Sequence, residues 1–241
     1  MKNLILVLLC SIPFISSTQI DVKLQYGPSA SFDWSYRILT LDSDEFGIGE
    51  SIIDFRNEIE KSAPRATAGI DFGLLLGDHF TVETGMQYSN KGYRSQNNFT
   101  LVTHENDNGT IVTNVVSAEV KSWINYHYID IPITVGYQLK LGKQNGLKMQ
   151  LGYINNFYIT SSFRTIWDWG HTKQIDYDTA RQLSNYSGQG MAGVYFQWRP
   201  GQMKTAIEFG PQFKFSALPI IEAPIHERLY SAGIRAAWYL R

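Results

Sequence analysis

From Ile129 to Leu141 every odd position is apolar or aromatic (Ile129, Ile131, Ile133, Val135, Tyr137, Leu139, Leu141), and every even position is not. The even set is Asp130, Pro132, Thr134, Gly136, Gln138 and Lys140. A period of two over such a length is a β-strand with one apolar and one polar face, because successive side chains point to opposite sides of a pleated chain. The same alternation marks Val82, Thr84, Met86, Tyr88 and then Leu147, Met149, Leu151, Tyr153. It returns at Ile207, Phe209, Phe213, Phe215 and at Tyr230, Ala232, Ile234, Ala236, Trp238, Leu240. Ile20 to Tyr26, Ile70 to Leu76 and Val194 to Trp198 complete a set of eight strands. Several are long enough to supply the ~9–11 residues with which a tilted strand crosses a bilayer.

The connections alternate in length. Gly77-Asp78, Gly142 to Gly146 and Arg199 to Gln202 are short and rich in turn residues, whereas 34–63, 96–117, 165–186 and 218–226 are long. In an up-and-down barrel this places all tight turns at one rim and all long loops at the other, as in bacterial outer-membrane barrels. The expected architecture is therefore all-β: an eight-stranded antiparallel transmembrane barrel with short periplasmic turns and long extracellular loops.

Alternation does not say which face points inward. A lipocalin-like soluble barrel has an apolar interior and a water-facing exterior, which should carry many Lys, Glu and Arg. Here the polar face is mostly Gly, Ser, Thr, Gln and Asn, and only 18% of the chain is charged, below the roughly 25% usual for soluble domains. Tyr26, Tyr88, Tyr93, Trp198, Phe215, Trp238 and Tyr239 gather toward strand ends, like the aromatic girdles at a membrane's two interfaces. These features favour the membrane barrel, with its polar side facing the axis.

A formal net charge of −1 argues against nucleic acid as a partner, and no run of about 20 apolar residues signals a membrane-spanning helix. The first 18 residues form a separate unit. Met1-Lys2-Asn3 precedes an apolar run and then Ser16-Ser17-Thr18, the layout of a secretory signal peptide, leaving 19–241 as the barrel domain. Bulky Leu9 before Cys10 argues against a lipoprotein signal, and removal of the leader takes the one cysteine with it.

Tyr128-Ile129-Asp130-Ile131-Pro132-Ile133, together with the eight-strand meander and the closing strand Gly233 to Leu240, resembles a family of small outer-membrane barrels often labelled PorT-like or porin-family. The resemblance implies outer-membrane location and contact with membrane lipid and lipopolysaccharide. It also implies a possible envelope or secretion protein partner. Fold likeness alone does not transfer the secretion role.

Candidate chemistry is sparse. Asp71, Glu83, Asp130, Glu208, Lys214 and Arg235 fall on the polar face, with Lys23, Lys140 and Lys148. In an eight-stranded barrel, whose interior is just wide enough for side chains, they are expected to pair with one another as a plug. A proton or ion path, and hence a narrow passive pore, is the alternative. His127 near Ser122 is the one candidate for a lipid A-modifying active site. No metal-binding spacing or phosphate loop is present, and no cofactor is expected. Glu105 to Gly109 is calcium-like in composition but lacks an EF-hand's ligand order. Phe55, on a short helix expected within 51–61, and the loop aromatics Trp167, Trp169 and Tyr177 are candidate partner contacts.

Overall fold

The computed structural model describes residues 21–41, 47, 49–107, 110–167, 172–175, 183–200, 204–222 and 225–240. The expected signal peptide, Trp169 and Tyr177 lie outside the described residues. Eleven strands follow in chain order: β1 (Val22–Leu41), β2 (Glu60–Lys61), β3 (Ala63–Leu76), β4 (Phe80–Asp107), β5 (Thr110–Lys140), β6 (Asn145–Trp167), β7 (Thr172–Ile175), β8 (Tyr186–Trp198), β9 (Thr205–Ser216), β10 (Ile221–Glu222) and β11 (Ile225–Leu240). Among the described residues one helix, α1 (Gly49–Ile59), precedes β2.

Eight strands make the wall, in the order β1-β3-β4-β5-β6-β8-β9-β11, and all neighbours are antiparallel. The ring is closed by β1 against β11, from Tyr26 opposite Leu240 to Leu41 opposite Ile225. Closure follows from the solvent. Hydrocarbon offers no partner for a free N–H or C=O, so a sheet that spans it must have no edge. The short strands β2, β7 and β10 lie off the wall and pair with β4, β6 and β11.

Burial is the reverse of that in a water-soluble domain. Ile70, Met86, Ile133, Val135, Leu151, Ile234 and Trp238 are more than half exposed, while Asp71, Glu83, Asp130, Lys148, Glu208 and Arg235 are buried. An apolar exterior on all strands, over a polar axis, is stable against lipid and would be an aggregation surface in water. The soluble-barrel alternative is therefore wrong for this chain.

Two aromatic residues expected at the membrane interface turn inward. Tyr93 and Tyr239 are buried, whereas Tyr26, Tyr88, Trp198, Phe215 and Trp238 remain outside. The cause is strand parity: Tyr239 lies four residues beyond inward Arg235, and Tyr93 two beyond inward Lys91.

The wall also extends farther past the long-loop rim than the sequence suggested. β1 continues from Trp34 to Leu41, because the alternation persists through Tyr36 and Ile38 (outside) and Arg37 and Leu39 (inside). Residues 96–117, expected as a loop, are a β-hairpin in which β4 and β5 stay in register out to Asp107 and Thr110. At 28 and 31 residues these strands are far longer than the ~9–11 that cross a bilayer. Trp167 is the last residue of β6, opposite Val120, not part of a loop. α1 runs from Gly49 to Ile59, so it begins two residues ahead of the helix expected within 51–61.

A register shift on β6 completes the wall. Tyr158 faces Tyr128 and Thr160 faces His127, so Ile159 is an extra residue. The bulge switches the inward set of β6 from Ile154 and Asn156 below it to Ser161 and Thr165 above.

Candidate functional site: the filled lumen and its outer mouth

Charged side chains occupy the axis at three levels. Nearest the tight turns, the Lys148 ammonium donates to Glu83 at 2.7 Å and to Glu208 at 2.5 Å. It also lies 5.7 and 5.4 Å from the ring centres of Tyr195 and Tyr239. Arg235 donates to Asp71 at 2.5 Å and to the Tyr239 hydroxyl at 2.8 Å. Neutral amides satisfy the remaining carboxylate oxygens: Gln25 and Gln150 donate to Glu83 at 2.9 and 2.8 Å, and Gln197 to Glu208 at 2.7 Å. Such satisfaction is needed, since a half-paired polar network in a low dielectric is worse than an apolar core.

Small residues make the space. A Cβ at Gly73 would stand 2.9 Å from both the Gln25 amide nitrogen and Glu83 Cγ, so glycine there lets the carboxylate reach the axis.

The middle level contains two pairs. Lys214 meets Asp33 at 2.9 Å, with Gln212 donating to the other Asp33 oxygen at 3.0 Å. Lys91 meets Asp130 at 3.0 Å and also donates to Gln189 at 2.8 Å and to Asn156. At the outer mouth Arg37 donates to Glu227 at 2.7 Å and to the Tyr93 hydroxyl at 2.8 Å, and pairs with Glu60. Arg56 of α1 reaches the same carboxylates, Glu227 at 2.6 Å and Glu60 at 3.1 Å. Beside this cluster, Tyr93, Tyr126, Tyr128, Leu183, Ile220 and Leu229 pack into an apolar cap.

Asp71, Glu83, Asp130, Glu208, Lys214 and Arg235 thus all reach the lumen, and each touches an opposite charge. Lys148 joins them. Lys23 and Lys140 do not: they share the inward parity but lie past the rim, half exposed and paired with Asp21 and Asp78 at 2.6 Å. The hydrogen bond and charge of Lys140 hold the Asp78 carboxyl below its ordinary range. The residues that sequence reasoning missed are Asp33, Arg37, Arg65, Lys91, Tyr195 and Glu227. Continuing the alternation of β1 and β3 by a few residues would have found Asp33, Arg37 and Arg65.

The filling leaves little room. Two small spaces on the axis are open to water, about 20 Å³ beside Asp71, Glu83 and Arg235 and about 10 Å³ beside Arg65 and Lys91. A single water needs roughly 10–15 Å³ by this measure, so neither void is a conduit.

The proposed catalytic pair is separated by the strand itself. Ser122 has the inward parity of β5 and lies 3.3 Å from Thr165, while His127 has the outward parity and its ring meets the hydroxyl of the exposed Tyr88 at 2.5 Å. Side chains on opposite faces of one strand cannot act on one bond, so this pair is not an active site. Phe55 is half exposed on α1, as is Ile52. Among the described residues no group of three His, Cys, Asp or Glu could hold a metal ion.

These features define a class: an integral barrel with a lipid-facing apolar exterior and a side-chain-filled axis. The chain belongs to the outer membrane protein beta-barrel domain family, whose model matches residues 42–217. Among solved structures it is similar to Ail, the attachment invasion locus protein of Yersinia pestis, crystallised with the heparin analogue sucrose octasulfate. The identity is 9%, with 90% of this chain and 99% of that one covered and a TM-score of 0.35. Neisserial surface protein A gives 10% identity over 89% and 97% with a TM-score of 0.37. OprG from Pseudomonas aeruginosa gives 11% over 90% and 95% with 0.36. No curated protein matches the chain.

Proposed function

We propose that the protein is a non-enzymatic, non-conducting outer-membrane post that acts through what it holds at the outer rim, as a structural, partner-binding or secretion-associated component. The observation that carries this reading is the filled lumen. Pairs at three heights block the axis, and the voids between them are of single-water size. A passive pore needs a continuous wet path, so the arrangement favours a plug over the pore alternative. The separation of His127 from Ser122 weighs against lipid A modification. The parts left to meet a partner are the β4–β5 hairpin and α1 with its exposed Phe55 and Ile52. Lipopolysaccharide would surround the apolar wall, and residues 1–18 would be removed on export. The PorT-like resemblance makes support of protein secretion one form of this partner role.

The test is single-channel recording of the purified full-length barrel in planar lipid bilayers. Silence across ±100 mV is expected (~2.3 kcal/mol per unit charge at that voltage); a steady ohmic step would reject the plug.

A further inference from the structure

The small void at the middle level is walled by three cations, Arg65, Lys91 and Lys214, and by one carboxylate, Asp33. Lys214 is matched by Asp33 and Lys91 by Asp130. Arg65 is matched by nothing of opposite charge: among the described residues no carboxylate lies within 4.0 Å of it, although it is only 8% exposed. Its terminal nitrogen donates to the main-chain carbonyls of Tyr93 and Ile124 at 3.1 and 2.8 Å. Its Nε is buried and meets no acceptor. Asp33 stands directly across the β1–β3 ladder from Arg65, but its oxygens are taken by Ser31, Gln212 and Lys214 at 2.9–3.0 Å.

This level therefore holds one positive charge in excess. The opposite excess, three carboxylates against two cations, lies at the turn-end level (Asp71, Glu83 and Glu208 against Lys148 and Arg235). Arg65 and Asp71 are on one strand, six residues and so about 20 Å apart along it. The distant carboxylate cannot neutralise the guanidinium locally, and a buried charge without a counter-charge is costly.

We propose that the void beside Arg65 is a binding site for one monatomic anion, a halide. Its size sets the chemical class. About 10 Å³ is close to the room of one water, which suits a monatomic ion better than the bulkier sulfate, phosphate or carboxylate. Its donors suit a spherical anion: the free N–H of Arg65, the Lys214 ammonium and the hydroxyl of buried Ser35, another wall residue. Lys91, whose three N–H groups are all engaged, contributes charge alone. The ion completes the charge pairing of the middle level.

The experiment uses the full barrel, folded in detergent and exchanged into sodium gluconate, with urea unfolding followed as gluconate is replaced by chloride or bromide at fixed ionic strength. The folded-to-unfolded ratio should rise in proportion to one plus the ratio of halide concentration to dissociation constant, by about elevenfold at ten times that constant. Arg65→Gln, which removes the charge and the free N–H but leaves a polar amide, should lose this dependence. A rise of equal size in Arg65→Gln would show a general salt effect and overturn the proposal. Crystals of the unaltered protein grown in bromide provide a readout independent of whether the variant folds. Anomalous density in the void beside Arg65 is expected, and a void without bromide would overturn the site in favour of trapped water.

Discussion

Replacing Lys148 by methionine removes one ammonium while keeping most of the side chain's length. The ammonium lies 2.7 Å from Glu83 and 2.5 Å from Glu208, with no exposed surface. At an effective dielectric of ~20, each contact is an attraction of about 6 kcal/mol. Desolvating the three ions costs several kcal/mol apiece and cancels most of that gain in the intact network. The variant keeps the burial of Glu83 and Glu208 and loses the compensation, leaving Arg235 alone against three carboxylates. Breaking a buried pair in this way costs about 3–5 kcal/mol, a reduction of roughly two to four orders of magnitude in the folding equilibrium constant. Adding Glu208→Gln removes one of the stranded charges and should recover part of the loss. The assay is reversible urea unfolding in lipid vesicles, read by tryptophan fluorescence, for the wild type, both single variants and the double variant. A loss below about 1 kcal/mol for Lys148→Met, within the range of an exposed ion pair, would refute a dry, charge-paired lumen. So would strict additivity of the two substitutions, because residues sharing one network must couple.

Depth on the lipid face should set the cost of a charge there. Leu151 and Leu141 are equally exposed at 63%, but Leu151 pairs with Val135 within the wall, and Leu141 lies just past β5 at the turn rim. Leu151→Arg should therefore cost about 2–4 kcal/mol and Leu141→Arg about 0–1 in the same unfolding assay. At the mouth, Arg56→Ala removes the tie between α1 and Glu227 but leaves Glu227 paired with Arg37, so the wall should stay folded. Faster amide exchange confined to α1, by about tenfold for ~1.4 kcal/mol of lost anchoring, is expected. Asp78→Asn at the turn rim should leave the unfolding midpoint almost unchanged at neutral pH, since its pair with Lys140 is in water. Because the folded carboxyl titrates below its ordinary value, whatever the pair adds is present above the unfolded pKa and fades as pH falls through the folded one.

The wall was legible in the sequence because period-two alternation is a direct imprint of a sheet with unlike faces, and Ile129 to Leu141 shows it without a break. The inward direction was legible from the small, sparsely charged polar face. What alternation cannot give is reach across the axis. Lys148 meets Glu83 and Glu208 from strands that are not its neighbours, 65 and 60 residues away. The ends of the strands were misjudged for a different reason. Residues 96–117 lack an unbroken apolar alternation and so read as loop, although backbone pairing carries the β4–β5 ladder on to Asp107 and Thr110. Tyr93 and Tyr239 were misplaced because an aromatic near a strand end suits an interface girdle and a lumen equally well; parity had to decide. Ser122 and His127 show the same lesson, since an odd spacing on a strand divides two residues between faces.

The polar axis also answers a question that the apolar exterior leaves open, namely what fixes the register of eight strands in a solvent as greasy as their side chains. Sliding β6 by two residues along β5 would still present an apolar face to lipid and would keep every backbone hydrogen bond. It would also carry Lys148 about 7 Å from Glu83 and Glu208, the rise of two residues. Lys148 would then be buried without a carboxylate, and Glu83 and Glu208 without the ammonium that bridges them. Lipid cannot penalise that slip; the lumen can, through the several kcal/mol that each unpaired buried ion costs. Disabling the turn-end network should therefore do more than lower stability. A Lys148→Met, Glu83→Gln, Glu208→Gln chain is relieved of stranded charge yet has nothing to distinguish the registers. Disulfide trapping between cysteines placed at the cross-strand pair Val135 and Leu151 should stay efficient in the wild type and fall in the triple variant, with Val135 and Tyr153 gaining cross-links. Cross-linking confined to the first pair in both proteins would mean that the turns and the bulge at Ile159 hold the register without the charges.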